Sequence, residues 1–95
     1  MPAYFLADIR EIKDPGKIEQ YRSHVAAVVE KFGGRYVVRG GPFEVVEGAY
    51  QVRLAMLEFP SMDQARRWYD SEEYRELKQL RLAATVSSGF FMTGA

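Results

Sequence analysis

Ile18, Tyr21, Val25, Val28 and Phe32 recur at spacings of three, four, three and four residues, which places them on one stripe of an amphipathic helix. Asp14 caps its start, and Pro15 sits in the first turn, where a missing N–H costs nothing. Gly33 and Gly34 supply the stop after Phe32. This one helix constrains the rest, because 95 residues leave room for a single core on which its stripe can pack. One domain spanning residues 1–95 is expected.

The flanking segments have strand character. Ala3 to Ile12 is rich in aromatic and β-branched types and ends in a Lys-Asp-Pro-Gly cluster. Arg35 to Arg39 is a short second strand, broken by Gly40, Gly41 and Pro42 before a further extended piece, Phe43 to Glu47, so a bulge or irregular edge is expected there. Val52 to Phe59 is the third strand. Ser61 and Gln64 have capping-box spacing, which starts a helix presenting Ala65, Trp68 and Tyr69 inward. From Tyr69 the next apolar position is Tyr74, so the helix kinks or restarts; Ser71 caps the second segment, whose inner face is Tyr74, Leu77 and Leu80 or Arg81. Ala84 to Thr93 is the last strand.

The resulting order β-α-β-β-α-β is an α+β, ferredoxin-like arrangement: an antiparallel four-stranded sheet with its helices on one face. Both faces of the sheet are apolar. Val52, Leu54 and Met56 point one way on the third strand and Ala55, Leu57 and Phe59 the other, while the first strand sets Phe5, Ala7 and Ile9 against Tyr4 and Leu6. A sheet with one solvated face would alternate apolar with polar residues, so the second face calls for a partner sheet and the expected partner is a second copy of the chain.

Charge and composition narrow the function. Thirteen Lys and Arg balance thirteen Asp and Glu, which leaves no basic stripe for nucleic acid. With no cysteine and one histidine, His24, the chain carries no thiol nucleophile and no multi-histidine metal site. The glycine pairs lack phosphate-loop spacing, so neither a nucleotide nor a metal cofactor is expected. Leu82 to Ala95, the longest uncharged stretch, is too short and too rich in Ser, Thr and Gly to span a membrane, and no leader pattern opens the chain; a cytoplasmic protein without a membrane partner is expected.

Several strings together resemble a known family: Phe32-Gly33-Gly34-Arg35-Tyr36, Arg39-Gly40-Gly41, Glu47-Gly48, Glu58-Phe59-Pro60-Ser61-Met62, Ala65, Trp68-Tyr69-Asp70-Ser71, Tyr74 and Leu80-Arg81. Over Tyr4 to Gly94 the chain is similar to the bacterial domain-of-unknown-function family 1330. The resemblance implies a homodimeric α+β barrel, in a superfamily that includes small cofactor-free monooxygenases and muconolactone-type isomerases. It implies no particular reaction.

The candidate catalytic residues are Glu58 at the end of the third strand, Arg39 at the end of the second, and His24 in the first helix. Trp68, Tyr69, Ser71, Tyr74 and Arg81 are candidate ligand-binding residues, because polar groups beside an aromatic cluster suit a small organic ligand. If Glu58 is desolvated its pKa rises toward a useful general base; alternatively it pairs with Arg39 or Arg81. His24 serves proton transfer or is a half-buried helix histidine. Trp68, Tyr69 and Tyr74 stack on a ligand or fill the core. Binding or cofactor-free transformation of a small organic molecule is the function expected, with a non-enzymatic dimeric module as the alternative.

Overall fold

The computed structural model describes residues 1–51 and 53–95. The chain runs β1 (Ala3–Ile12), α1 (Pro15–Lys31), β2 (Arg35–Arg39), β3 (Arg53–Phe59), α2 (Met62–Tyr69), α3 (Glu72–Ala84) and β4 (Thr85–Thr93). All strand pairs are antiparallel, in the order β2-β3-β1-β4, the ferredoxin-like order expected.

Local chemistry fixes the element ends. Asp14 adopts an extended backbone and its Oδ1 accepts the Lys17 N–H at 3.1 Å, with Pro15 following in the first turn. At the other end of α1, Gly33 donates to the Glu30 carbonyl and Gly34 to that of Val29, both at 3.0 Å. That pair is a Schellman stop, and Gly33 takes the left-handed conformation it needs, at φ +81°. Ser71 separates α2 from α3: its hydroxyl donates to the Trp68 carbonyl at 2.8 Å, ending one helix, and accepts the Tyr74 N–H at 3.1 Å, starting the next.

The core lies between the helices and the sheet face formed by Phe5, Ala7, Leu57 and Phe59. Trp68 is fully buried at its centre, with ring centroids 4.2 Å from Tyr74, 5.2 Å from Phe5 and 5.4 Å from Phe59. Burying ~200 Å² of indole at ~25 cal/mol per Å² contributes about 5 kcal/mol, an upper bound given a compact unfolded chain. Val29 is fully buried on α1 where the stripe points to Val28, which is only half-buried, as is Phe32. Ala84 ends α3 rather than opening the last strand.

Phe43 to Glu47 is a correction: it joins no strand. Gly40 donates to the Leu54 carbonyl at 2.9 Å and closes the β2–β3 ladder, after which residues 40–51 form an exposed loop. Pro42 removes a donor, and positive φ at Gly40 and Gly48 turns the chain away from the sheet edge. The bulge sits earlier, where the register shifts between Tyr36 and Val38. Val52, placed by the sequence at the start of the third strand, lies outside the described residues. The loop returns over the second sheet face, where the Tyr50 hydroxyl donates to Asp8 at 3.4 Å.

That second face carries no helix. Leu6, Met56, Val38, Phe90 and Met92 form an apolar surface on it, with Phe90 and Met92 42% and 52% exposed. Among the described residues no helix is long and apolar enough to cross a membrane.

Candidate functional site

The structure does not gather the expected residues into one place. Glu58 lies on the helix-free face, where its Oε1 accepts both Nε and Nη2 of Arg35 at 2.9 Å and its Oε2 accepts the Tyr4 hydroxyl at 3.1 Å. The hydrogen bond from Arg35, and next that from Tyr4, hold its pKa below the usual carboxylate value. Glu58 is therefore a matched carboxylate, paired with Arg35 in place of Arg39 or Arg81. His24 is exposed on α1, with Nδ1 donating to the Gln20 carbonyl at 3.0 Å. Ser71 is occupied as the double cap, Trp68 is core, and Tyr69 carries Lys78 Nζ 4.0 Å above its ring.

Arg39 and Arg81 instead line a recess between sheet and helices, with Tyr74 buried in the core behind it, hydrogen-bonded to the recess residue Tyr21. Its outer part, about 320 Å³, has Arg22, Arg39 and Arg53 at its rim and Ile18, Tyr21 and Tyr36 on its walls. An inner cavity of about 30 Å³ adjoins it through Ile9, Tyr21, Tyr36 and Ala55, which line both, and ends at Phe5, Leu57 and Arg81. Arg39 lies 4.5 Å over the Tyr36 ring, so β2 presents a cation and a phenol together at the mouth. α1 supplies Tyr21 and α3 supplies Tyr74, whose hydroxyls are hydrogen-bonded at 2.8 Å.

The electrostatics of this recess are one-sided. Burial raises the Tyr36 pKa to about 12, the Arg39 charge offsetting part of the rise. Burial also pushes Tyr21 well up and Tyr74 up, although nearby Arg81 pulls Tyr74 down. All three are neutral phenols at neutral pH, able to donate a hydrogen bond and unable to act as bases. Arg81 is 2% exposed. Burial pulls its pKa down, but the neighbouring Tyr74 and Tyr21 oxygens outweigh that and the net shift is upward, so it stays charged. Nη1 donates to Ser87 at 3.2 Å, whereas Nε has no partner among the described residues, and Arg81 forms no ion pair among them. No carboxylate or imidazole lines either part of the recess among the described residues. No group of three or more His, Asp and Glu side chains suited to a metal ion occurs among them either.

Tyr21, Tyr36, Arg22 and Arg53 were not among the candidate site residues read from the sequence. A signal for Tyr21 existed, since a phenol on the inner stripe of a helix requires a hydrogen-bond partner inside. Tyr36 and Arg53 reach the recess only through the register of β2 and β3, which no local pattern reveals.

The family model described as a domain of unknown function (DUF1330) matches residues 2–95. The chain belongs to that family. Among curated proteins none matches it. Solved structures share the fold at low identity. The RPA0582 protein of unknown function from Rhodopseudomonas palustris has a TM-score of 0.76 at 20% identity, over 99% of this chain and 82% of that one. A mutant of SnoaB, a cofactor-independent oxygenase from Streptomyces nogalater, has a TM-score of 0.74 at 16% identity, over 98% of this chain and 92% of that one. An ethyl tert-butyl ether D (ETHD) family protein from Bacillus halodurans has a TM-score of 0.63 at 12% identity, with all of both chains covered. At these identities the likeness extends to the α+β barrel fold alone.

Proposed function

We propose that this chain pairs sheet to sheet with a second copy, and that each subunit binds a small, mostly apolar organic molecule between its sheet and helices without metal or nucleotide. The observation that carries this reading is the recess itself: an opening of about 320 Å³ walled by Tyr21, Tyr36 and Ile18 that continues inward to Arg81. Arg39 serves at its mouth and Arg81 at its inner end, while Tyr74 holds the Tyr21 hydroxyl from behind. The pairing is supported by the uncovered apolar face, where several hundred Å² at ~25 cal/mol per Å² is worth several kcal/mol to a partner sheet. On that face the Glu58–Arg35–Tyr4 group has a positional role, since its charges are already matched.

Transformation of the bound molecule is a second reading, favoured by the neutral phenols beside a lasting positive charge. Such a set stabilises an oxyanion formed on the ligand. With no side-chain base lining the recess among the described residues, this chemistry would rely on the ligand's own acidity, as a cofactor-free oxygenase-like or isomerase-like reaction; SnoaB, a cofactor-independent oxygenase, shares the fold.

Backbone-amide NMR with a library of small aromatic fragments tests the site. Fragments that bind should shift the amides of Ile9, Ile18, Tyr21, Tyr36 and Ala55. Shifts confined to Leu6, Met56 and Met92 on the helix-free face, or no shifts with any fragment, would refute the assignment.

A further inference from the structure

Arg81 is 2% exposed and pairs with no carboxylate among the described residues, and a guanidinium so buried is costly to keep. An apolar side chain of similar volume at position 81 would avoid that cost. The hydroxyls around Arg81 do not cancel its charge: Ser87, Tyr21 and Tyr74 are neutral at neutral pH, and burial keeps the phenols so. Nη1 is used on Ser87 while Nε has no acceptor among the described residues, so the group, which belongs to a residue lining the inner cavity, is short of partners. The cavity there, about 30 Å³, admits a small head group and little more, whereas the adjoining 320 Å³ admits an apolar body. Arg22, Arg39 and Arg53 at the mouth add a field of the same sign along the entry path.

From this arrangement we infer that the ligand is an organic monoanion, a carboxylate on a flat apolar body, with its head in the inner cavity against Arg81 and its body against Tyr36 and Ile18. The inference rests on the reading of the recess as the ligand site and adds the charge and orientation of what it takes. A carboxylate suits the position because its two oxygens match the guanidinium fork and can also accept a phenolic O–H. The bound anion supplies the missing countercharge, and the apolar body packs beside the Tyr36 ring, one face of which Arg39 covers at 4.5 Å.

Benzoate and benzamide, alike in shape and different in charge, test the inference on the intact protein by NMR titration and calorimetry. Benzoate is expected to shift Tyr36 and Ile18 amides and to bind at least ~10-fold more tightly than benzamide, the scale of a charge-assisted bond in a desolvated site. In Arg81→Met that preference should vanish while benzamide binding persists, and the variant should melt no lower than the parent. Equal binding of the two compounds in the recess would overturn the anion subsite and leave the recess standing. Binding of neither would remove the recess reading as well. A benzoate preference that survives in Arg81→Met would assign it to the mouth arginines and overturn the role given to Arg81. Should the variant fail to fold, the comparison of the two compounds on the parent protein still decides the charge of the ligand.

Discussion

Gly34 stands where no larger residue fits, and Gly34→Ala should be among the most damaging single-methyl additions in the chain. A Cβ built on Gly34 would lie 2.8 Å from both Cδ1 and Cζ of Phe59 and closer still to Cε1, well inside the 3.4 Å where ordinary contact begins. Backbone strain is not the cause, because Gly34 has no positive φ. The ring cannot swing aside: Phe59 is fully buried and its far side meets Trp68 at 5.4 Å. Overpacking of this kind costs ~1–3 kcal/mol, and with the ring held on both sides a value near ~3 kcal/mol is expected. For a chain of this size that is a fall in Tm of roughly 12–20 °C. Phe59→Leu removes ring volume at a cost of ~1–2 kcal/mol. The double variant should then be less destabilised than the sum of the two single changes, with a coupling of at least ~1 kcal/mol. Urea denaturation of the four proteins at one fixed concentration measures all terms, the concentration being held because association shifts apparent stability. A Gly34→Ala protein within ~0.5 kcal/mol of the parent, or simple additivity in the double variant, would refute the packing argument.

Ser61→Ala should cost ~1 kcal/mol, because the Ser61 hydroxyl accepts the Gln64 N–H at 3.2 Å; an unchanged urea midpoint would show that water replaces the cap. The Glu58 pKa is depressed in the folded state below its ordinary 4.5, so the charge it carries stabilises the fold above that pH, and the contribution is lost as pH falls through the folded pKa. Between pH 7 and pH 3 the urea midpoint of the parent should therefore fall further than that of Glu58→Gln, and parallel curves would contradict it. Light scattering should give about 22 kDa, twice the chain mass of 10.9 kDa, and Met56→Lys on the helix-free face should shift the protein toward the monomer mass. A parent protein that is a stable monomer, or a variant of unaltered mass, would place self-association elsewhere or nowhere.

The fold was legible because its signals are local. Helix ends follow from Asp14, Gly33, Ser61 and Ser71, each of which makes the backbone contact its type predicts. Strand alternation likewise told which side of β3 Glu58 occupies, opposite Leu57 and Phe59. The Phe43 to Glu47 segment was misplaced because its β-forming residues carry no information about pairing partners, and the glycines and proline around it decide the outcome. The site was legible only in fragments. Arg81 and Tyr74 were visible on the inner face of their helix, and Arg39 at the end of its strand, but which residue pairs with Glu58 depends on cross-strand register. Arg35 stands directly opposite Glu58 and takes it, while Arg81 lies on the other face of the sheet, out of reach of Glu58 and unpaired among the described residues. The cavity beyond Tyr36 arises from how α1 and α3 meet the sheet, a tertiary property that no spacing in the chain encodes.

The central claim is that the ligand site lies between the helices and the sheet and not on the helix-free face. A crystal structure of the protein with 4-bromobenzoate tests it most directly, because the anomalous signal of bromine marks the ring without reference to any assumed pose. The account predicts a bromine peak in the outer recess, near Ile18, Tyr36 and Arg39, with the carboxylate directed inward to Arg81. Bromine found only beneath the loop of residues 40–51, or only on the Leu6, Met56 and Met92 surface, would contradict it.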